Sequence, residues 1–428
     1  MNDLKSSKGC RSSGCLRTAL IVSAVAALLI TLIAVVGVIA FAFSSRQTRS
    51  GNGIVTRPTS TSPSTTMANA RGVAPSIPAG TESVTPLAED ELLFSVAENP
   101  PLNPCSDSGP DFDIEVMKND GTGRRLLAGT TGAAGASTTD QVNTDSEELW
   151  PRLSPDRRRF VFYRAPTGIT SELCRYEVEE LWIANADGTN GRRIFSNDDK
   201  LAVAKRLGWD EATSIQGHAD WAPDGRHVVM VLGHVPRLGP VPLMSEGETE
   251  LFVLDVDTGD LRQVTRRVDS RGRGLSSDPS FAPDGKHIIF VGCPDATPSC
   301  SDVQLRSVPA DSQNAKETSL VFDGPDRAGN DVYVSPDGKS ISWMEVGILE
   351  IKLFVAPFAI GTVIDEGDVT LIDNHAGYAN WTSDSSELIY SPLRLGERFS
   401  LFAQSFDGSP SQRLTPVGSS EAFMFPSP

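Results

Sequence analysis

Apolar and polar residues alternate in short runs along most of the chain, and the runs recur in a fixed order. Ala219–Val231, ADWAPDGRHVVMV, reads as a strand, a tight Pro-Asp-Gly turn and a second strand. The pattern returns as PSFAPDGKHIIFV at Pro279–Val291 and DVYVSPDGKSISW at Asp331–Trp343. Looser forms are WPRLSPDRRRFVF at Trp150–Phe162 and ANWTSDSSELIY at Ala379–Tyr390. A third strand, a polar turn and a fourth strand follow. They read as Glu180–Asn185, Asp187-Gly188 and Arg192–Phe195 in one unit, and as Glu250–Val256, Asp257–Asp260 and Leu261–Thr265 in the next. The last unit has Ser400–Phe406, Asp407-Gly408-Ser409 and then QRLTPV. Period-two alternation and Asp-Gly turns predict antiparallel hairpins, and a helical period fits none of these stretches.

The turns carry their own chemistry. Proline presets φ, glycine supplies the left-handed corner, and aspartate bonds the backbone that follows it. Signature positions fall at Pro155, Pro223, Pro283, Pro336 and Ser383, at intervals of 68, 60, 53 and 47 residues. Four strands need about 40 residues, so the excess lies in loops. The first unit holds Glu91–Val96 and Asp113–Gly129 but lacks an inner strand, while Glu421–Pro426 is an unassigned strand at the chain end. Joining the two gives six units. The expected fold is all-β: a six-bladed β-propeller over 87–428, with ring closure by the C-terminal strand.

These repeats resemble those of the TolB-like β-propeller family (PD40/WD40-like). The likeness is best in Trp221-Ala-Pro223-Asp224-Gly225-Arg226-His227-Val228-Val229-Met230 and in Phe281-Ala-Pro283-Asp284-Gly285-Lys286-His287-Ile288-Ile289-Phe290. Arg157 departs from the pattern by replacing the glycine, and Ser383-Asp384-Ser385 departs by replacing Pro-Asp-Gly. The resemblance implies an interaction scaffold whose central channel mouth binds a peptide or protein. Similar blades also occur beside peptidase domains, and some propeller lyases hold a metal with histidines near the mouth.

The N-terminal region breaks the repeat pattern. Thr18–Phe43 is 26 residues without a charge, about 39 Å as a helix against roughly 30 Å of bilayer core. Lys5, Lys8, Arg11 and Arg17 precede it, and Arg46 and Arg49 follow. That bias predicts a cytoplasmic tail over 1–17, one transmembrane helix over 18–43 contacting the lipid bilayer, and an exported remainder at the cell membrane. Cleavage as a signal is the rival expectation. Residues 44–86, rich in Ser, Thr and Pro, read as a flexible linker. The formal charge of −17 becomes more negative in the exported part, where 34 basic face 54 acidic residues. This disfavours nucleic acid as a partner.

Candidate chemistry is sparse. An exported location favours cysteine pairing, so Cys293–Cys300 and Cys105–Cys174 are the expected disulfides. No Gly-x-Ser-x-Gly elbow, His-Glu-x-x-His helix or phosphate-binding glycine loop occurs. No catalytic residue, metal ligand or cofactor is assigned from sequence. Counting three residues back from each signature aromatic or its counterpart gives Trp150, His218, Asp278, Asp331 and Tyr378, which would ring one channel mouth. The turn aspartates read as backbone caps. His227 and His287 share a repeat position and read as surface features, while His218 and His375 precede inner strands. The expected function is a membrane-anchored, exported, non-catalytic scaffold for a protein or peptide. The alternative is a metal-assisted lyase or hydrolase built on the propeller.

Overall fold

The computed structural model describes residues 84–98, 112–127, 146–166, 179–210, 214–235, 237–238, 241–242, 247–266, 275–293, 303–324, 330–346, 351–392, 400–415 and 421–427. The chain divides into two compact units, Met1–Thr65 and Thr66–Pro428, and every described residue lies in the second.

Six four-stranded antiparallel sheets form this unit as six blades. From the inner strand outward, blade one is Glu421–Ser427, Glu91–Glu98, Phe112–Lys118 and Arg125–Leu126. Blade two is Ser146–Leu153, Arg159–Pro166, Glu180–Asn185 and Arg192–Phe195. Blade three is Ser214–Trp221, His227–His234, Glu248–Asp255 and Leu261–Gln263. Blade four is Ser276–Phe281, His287–Gly292, Gln304–Pro309 and Ser319–Phe322. Blade five is Asn330–Val334, Ser340–Val346, Ile351–Pro357 and Thr370–Asp373. Blade six is Ala376–Trp381, Glu387–Pro392, Phe402–Ser405 and Gln412–Arg413. The inner strands neighbour one another in succession around a common axis.

Three expectations are corrected. No sheet is closed into a ring: each blade is an open sheet, and Glu421–Ser427 adds an inner strand to blade one by pairing with Glu91–Glu98. No helix among the described residues is long and apolar enough to cross a membrane, and segments 1–17, 18–43 and most of 44–86 lie outside them. No disulfide is found among the described residues. Of the four expected partners only Cys293 lies within them, and its Sγ accepts the Leu275 N–H at 3.2 Å.

The blades hold together because each is buried on both faces. In blade three, Val228 and Met230 pack toward blade two, with Val161 and Tyr163. The alternate residues Val229 and Val231 pack toward blade four, with Ile288 and Phe290. Ile289 and Val291 then face Ile341 and Trp343 of blade five. Leu92 and Phe94 meet Ile389 and Leu401 of blade six, while Leu93 meets Phe160 and Phe162 of blade two. This is why the second strands read as nearly continuous apolar runs.

The turn aspartates cap local backbone. Oδ1 of Asp224, Asp284, Asp337 and Asp384 accepts the N–H of Arg226, Lys286, Lys339 and Ser386 at 2.8, 2.8, 3.0 and 3.0 Å. Arg157 and Ser385, where the repeat expects glycine, still adopt φ of 58° and 63°. Arg157 offsets the strain by donating to the carbonyls of Leu87, Ala88 and Glu91, which ties blade one to blade two. One helix, Asn197–Leu207, was not expected. Its signals are legible afterwards: a Ser196/Asp199 capping box and Gly208 at φ 75° as the stop.

Two outcomes follow from these contacts. Gly121, at φ 82°, leaves no room for a Cβ against the Leu414 carbonyl of blade six. Gly121→Ala should therefore lose about 2 kcal/mol or more in denaturant unfolding. The Asp337 carboxyl is held below its ordinary value by the Ser335 hydroxyl and then the Lys339 N–H, and Asp384 by the Ser386 N–H and then its hydroxyl. A depressed folded value stabilises above the unfolded value of 3.8 and is lost as pH falls through the folded one. The Asp337→Asn/Asp384→Asn protein should lose stability less steeply than wild type below about pH 4, read by unfolding midpoints across the acid range.

Candidate functional site

Five inner strands carry the same irregularity. Their pairing with the second strand slips between Leu149 and Arg152, Gly217 and Asp220, Ser277 and Ser280, Asn330 and Tyr333, and Gly377 and Asn380. The first residue of each slip is left-handed: Trp150 at φ 49°, His218 at 47°, Asp278 at 49°, Asp331 at 51° and Tyr378 at 51°. These are the five positions counted back from the signature aromatic. None is glycine, so each stores about 1–2 kcal/mol of backbone strain. A bulge of this kind re-aims a side chain. Blade one slips likewise, between Ala422 and Phe425 opposite Ala97 and Ser95.

The bulges bring side chains from separate blades together. His218 Nδ1 lies 3.1 Å from Asp278 Oδ1 and 3.8 Å from Asp331 Oδ1. His218 and Asp331 belong to blades three and five, which are not neighbours, so they meet toward the axis. The Asp331 N–H donates to Asp278 Oδ1 at 3.2 Å, and the Ser277 hydroxyl donates to Asp278 Oδ2. Trp150 stacks on the His218 ring with centroids 5.7 Å apart and planes at 20°. The Trp150 edge contact with Tyr163 fixes it from behind, with centroids at 5.9 Å. Tyr378 packs against the same cluster of blades two and three as Trp150, and its N–H donates to Met344 Sδ at 3.2 Å. The cluster therefore has an aromatic side and an acidic side, with His218 between them. His218 is 27% exposed, Asp278 4% and Asp331 9%. One ligand atom from each of the three lies within 4.8 Å of the others, a spacing that admits a metal ion.

Two residues further along the inner strands is a second tier that register counting from the aromatics did not single out. Arg152 of blade two lies over the Tyr333 ring of blade five, 4.9 Å from its centroid, and donates to the Tyr333 hydroxyl. Asp220 Oδ2 accepts the Phe281 N–H at 2.9 Å. Burial pushes the Asp220 carboxyl up, against the pull of that N–H and of Arg152. Burial also pushes the Tyr333 hydroxyl far up; Arg152 opposes this, while Asp331, Asp220 and Asp278 add to it. The signature tryptophans fix the tier from the next blade. Trp221 Nε1–H donates to the Arg152 carbonyl at 2.8 Å, and Trp381 Nε1–H to the Tyr333 carbonyl at 3.2 Å.

The other candidates do not join the site. His375 is exposed, with its N–H on Asp373 Oδ1 at 2.8 Å. His227 and His287 pair through Nδ1 with Asp224 and Asp284 in their own turns, at 2.6 and 2.7 Å. Cys105, Cys174 and Cys300 lie outside the described residues.

No protein-family model matches the chain, and no curated protein matches it. Among solved structures it is similar to TolB from Acinetobacter baumannii, with a TM-score of 0.51 at 15% identity, over 78% of this chain and 66% of that one. A putative TolB from Agrobacterium tumefaciens aligns with a TM-score of 0.45 at 11% identity, over 78% of this chain and 90% of that one. A hydrazine synthase chain from Kuenenia stuttgartiensis aligns with a TM-score of 0.50 at 12% identity, over 79% of this chain and 46% of that one. The chain thus shares a β-propeller fold with the Acinetobacter baumannii structure. At these identities the likeness concerns the fold.

Trp221→Phe removes the indole donor to the Arg152 carbonyl but keeps an aromatic side chain, as Phe281 does in blade four. It should cost about 1 kcal/mol in equilibrium unfolding. A neutral result would show that the bond holds nothing.

Proposed function

We propose that the propeller acts as a metal-assisted lyase or hydrolase centred on His218, Asp278 and Asp331. The observation that carries this reading is the convergence of an imidazole nitrogen and two carboxylates from three blades, at 3.1 and 3.8 Å. A divalent ion about 2.1 Å from nitrogen and oxygen ligands spaces those atoms about 3.0–3.4 Å apart. The donor set fits with small adjustments. Charge supports the same reading. The charged groups around the Tyr333 hydroxyl are Arg152, Asp331, Asp220 and Asp278. Three carboxylates against one guanidinium leave a deficit that a divalent cation neutralises.

Three protein ligands favour chemistry over a purely structural role, because structural sites are closed by four and catalytic ones keep positions open. An ion bound there would polarise a carbonyl, carboxylate or phosphoryl oxygen as a Lewis acid. The chain's own residues would set the geometry. Trp150 holds the imidazole plane, Ser277 and the Asp331 N–H hold the Asp278 carboxylate, and the bulges aim all three ligands. The substrate would approach from the end where the strand-two to strand-three loops and the blade-to-blade connections leave, opposite the Pro-Asp-Gly turns.

An extracytoplasmic position accords with the likeness to TolB. A second reading, favoured by the aromatic side formed by Trp150 and Tyr378, has the mouth bind a protein or peptide without chemistry.

The test is equilibrium dialysis of the full chain against Mn²⁺ and Zn²⁺, with metal counted by mass spectrometry. The expected result is one ion per chain. His218→Ala and Asp278→Asn should each weaken uptake by about tenfold or more. Wild-type protein that takes up neither metal sinks the metal-assisted reading and leaves the binding scaffold.

A further inference from the structure

We infer that Arg152 and Tyr333 close the axial channel directly beneath the metal cluster. The site is then a one-ended cup that takes a small molecule or a chain end, and not the middle of a threaded chain. This deepens the proposed function and rests on its metal reading.

Blades two and five stand opposite one another in a circuit of six. Arg152 can lie 4.9 Å over the Tyr333 ring and donate to its hydroxyl only by spanning the axis. Each end of this crossbar is fixed through its own backbone. The Arg152 carbonyl takes the Trp221 indole N–H at 2.8 Å, and the Tyr333 carbonyl takes that of Trp381 at 3.2 Å. Those bonds fix the two backbone positions from which the guanidinium and the phenol reach one another. A guanidinium over a phenol face gains a further cation–π attraction, which strengthens where water is excluded. Tyr333 is buried.

The height of the crossbar follows from register. Arg152 lies two residues past Trp150, and Tyr333 two past Asp331. Two regular strand residues would rise about 7 Å, and the bulges at Trp150 and Asp331 shorten that, so the crossbar lies within this distance of the cluster, toward the Pro-Asp-Gly turns. Asp220 stands in the same tier, with its Oδ2 on the Phe281 N–H at 2.9 Å. The channel is therefore barred on the turn side of His218, Asp278 and Asp331, and a ligand would approach from the loop end. A polymer threaded along the axis would have to displace the guanidinium. A terminal unit need not.

The test uses the full chain loaded with Mn²⁺ and three metal-seeking probes. These are acetohydroxamate, a polyethylene glycol carrying a hydroxamate at one end, and the same polymer carrying it at mid-chain. Displacement of manganese-bound water is read by water-proton relaxation. Acetohydroxamate and the end-labelled probe should bind alike, and the mid-chain probe about tenfold or more weaker. Arg152→Ala, confirmed folded by circular dichroism, should narrow that gap; if it does not fold, the wild-type comparison decides alone. Equal binding of all three probes by wild type overturns the one-ended cup. A gap unchanged in folded Arg152→Ala overturns the crossbar as its cause. Manganese that binds while acetohydroxamate displaces no water overturns the cup as a ligand site but leaves the metal reading standing. Absent manganese uptake removes the metal reading, and the inference built on it.

Discussion

Burial of both faces of every blade is the constraint on which the rest of the structure depends. A four-stranded antiparallel sheet with two apolar faces cannot stand alone in water, because either face left exposed forfeits about 25 cal/mol for each Å² of apolar surface. Six apolar clusters lie between successive blades, with Val228 and Met230 on one side of a strand and Val229 and Val231 on the other. The last such interface joins Ile389 and Leu401 to Leu92 and Phe94, and it brings the two ends of the propeller together. Hydrogen bonding completes blade one, yet no sheet closes on itself. Side-chain packing does the closing.

That packing makes an axis, and the axis makes the site. Residues far apart in sequence, such as His218 and Asp331, become neighbours because their inner strands converge. The repeated bulge then decides which side chains meet there. Five non-glycine residues held near φ 50° would be an implausible accident in isolation. As a repeated feature the strain is shared by the architecture, and the chemistry comes from what occupies each position. Tryptophan and tyrosine give an aromatic side, two aspartates give an acidic one, and a single histidine sits between them.

The tier beneath is held by groups that also hold the fold. The indole N–H groups of Trp221 and Trp381 bind blade to blade and fix the backbone of Arg152 and Tyr333 in the same contact. The signature aromatic of the repeat thus has two roles, and where it is Phe281 only packing remains. Stability and the shape of the site are coupled here through single hydrogen bonds.

Much of the fold was legible in the chain because strand period, Pro-Asp-Gly turns and continuous apolar runs are local properties. Glu180–Asn185 and Arg192–Phe195 begin and end where their alternation does. The helix Asn197–Leu207 was legible too, through Ser196, Asp199 and Gly208, but its caps lie in a loop between hairpins. The equivalence of Trp150, His218, Asp278, Asp331 and Tyr378 followed from register, since repeats place equivalent residues at equivalent positions. Their left-handed backbone, the approach of His218 to two carboxylates, and the reach of Arg152 across to Tyr333 did not follow. Those depend on distances between blades, which sequence spacing does not encode. The amino-acid sequence by itself determined six hairpin-rich units and the residue types at each register, because strand and turn formation answer to near neighbours. The tertiary structure alone decided which of those residues meet, because only the packing of opposed blades brings positions more than a hundred residues apart within reach of a hydrogen bond.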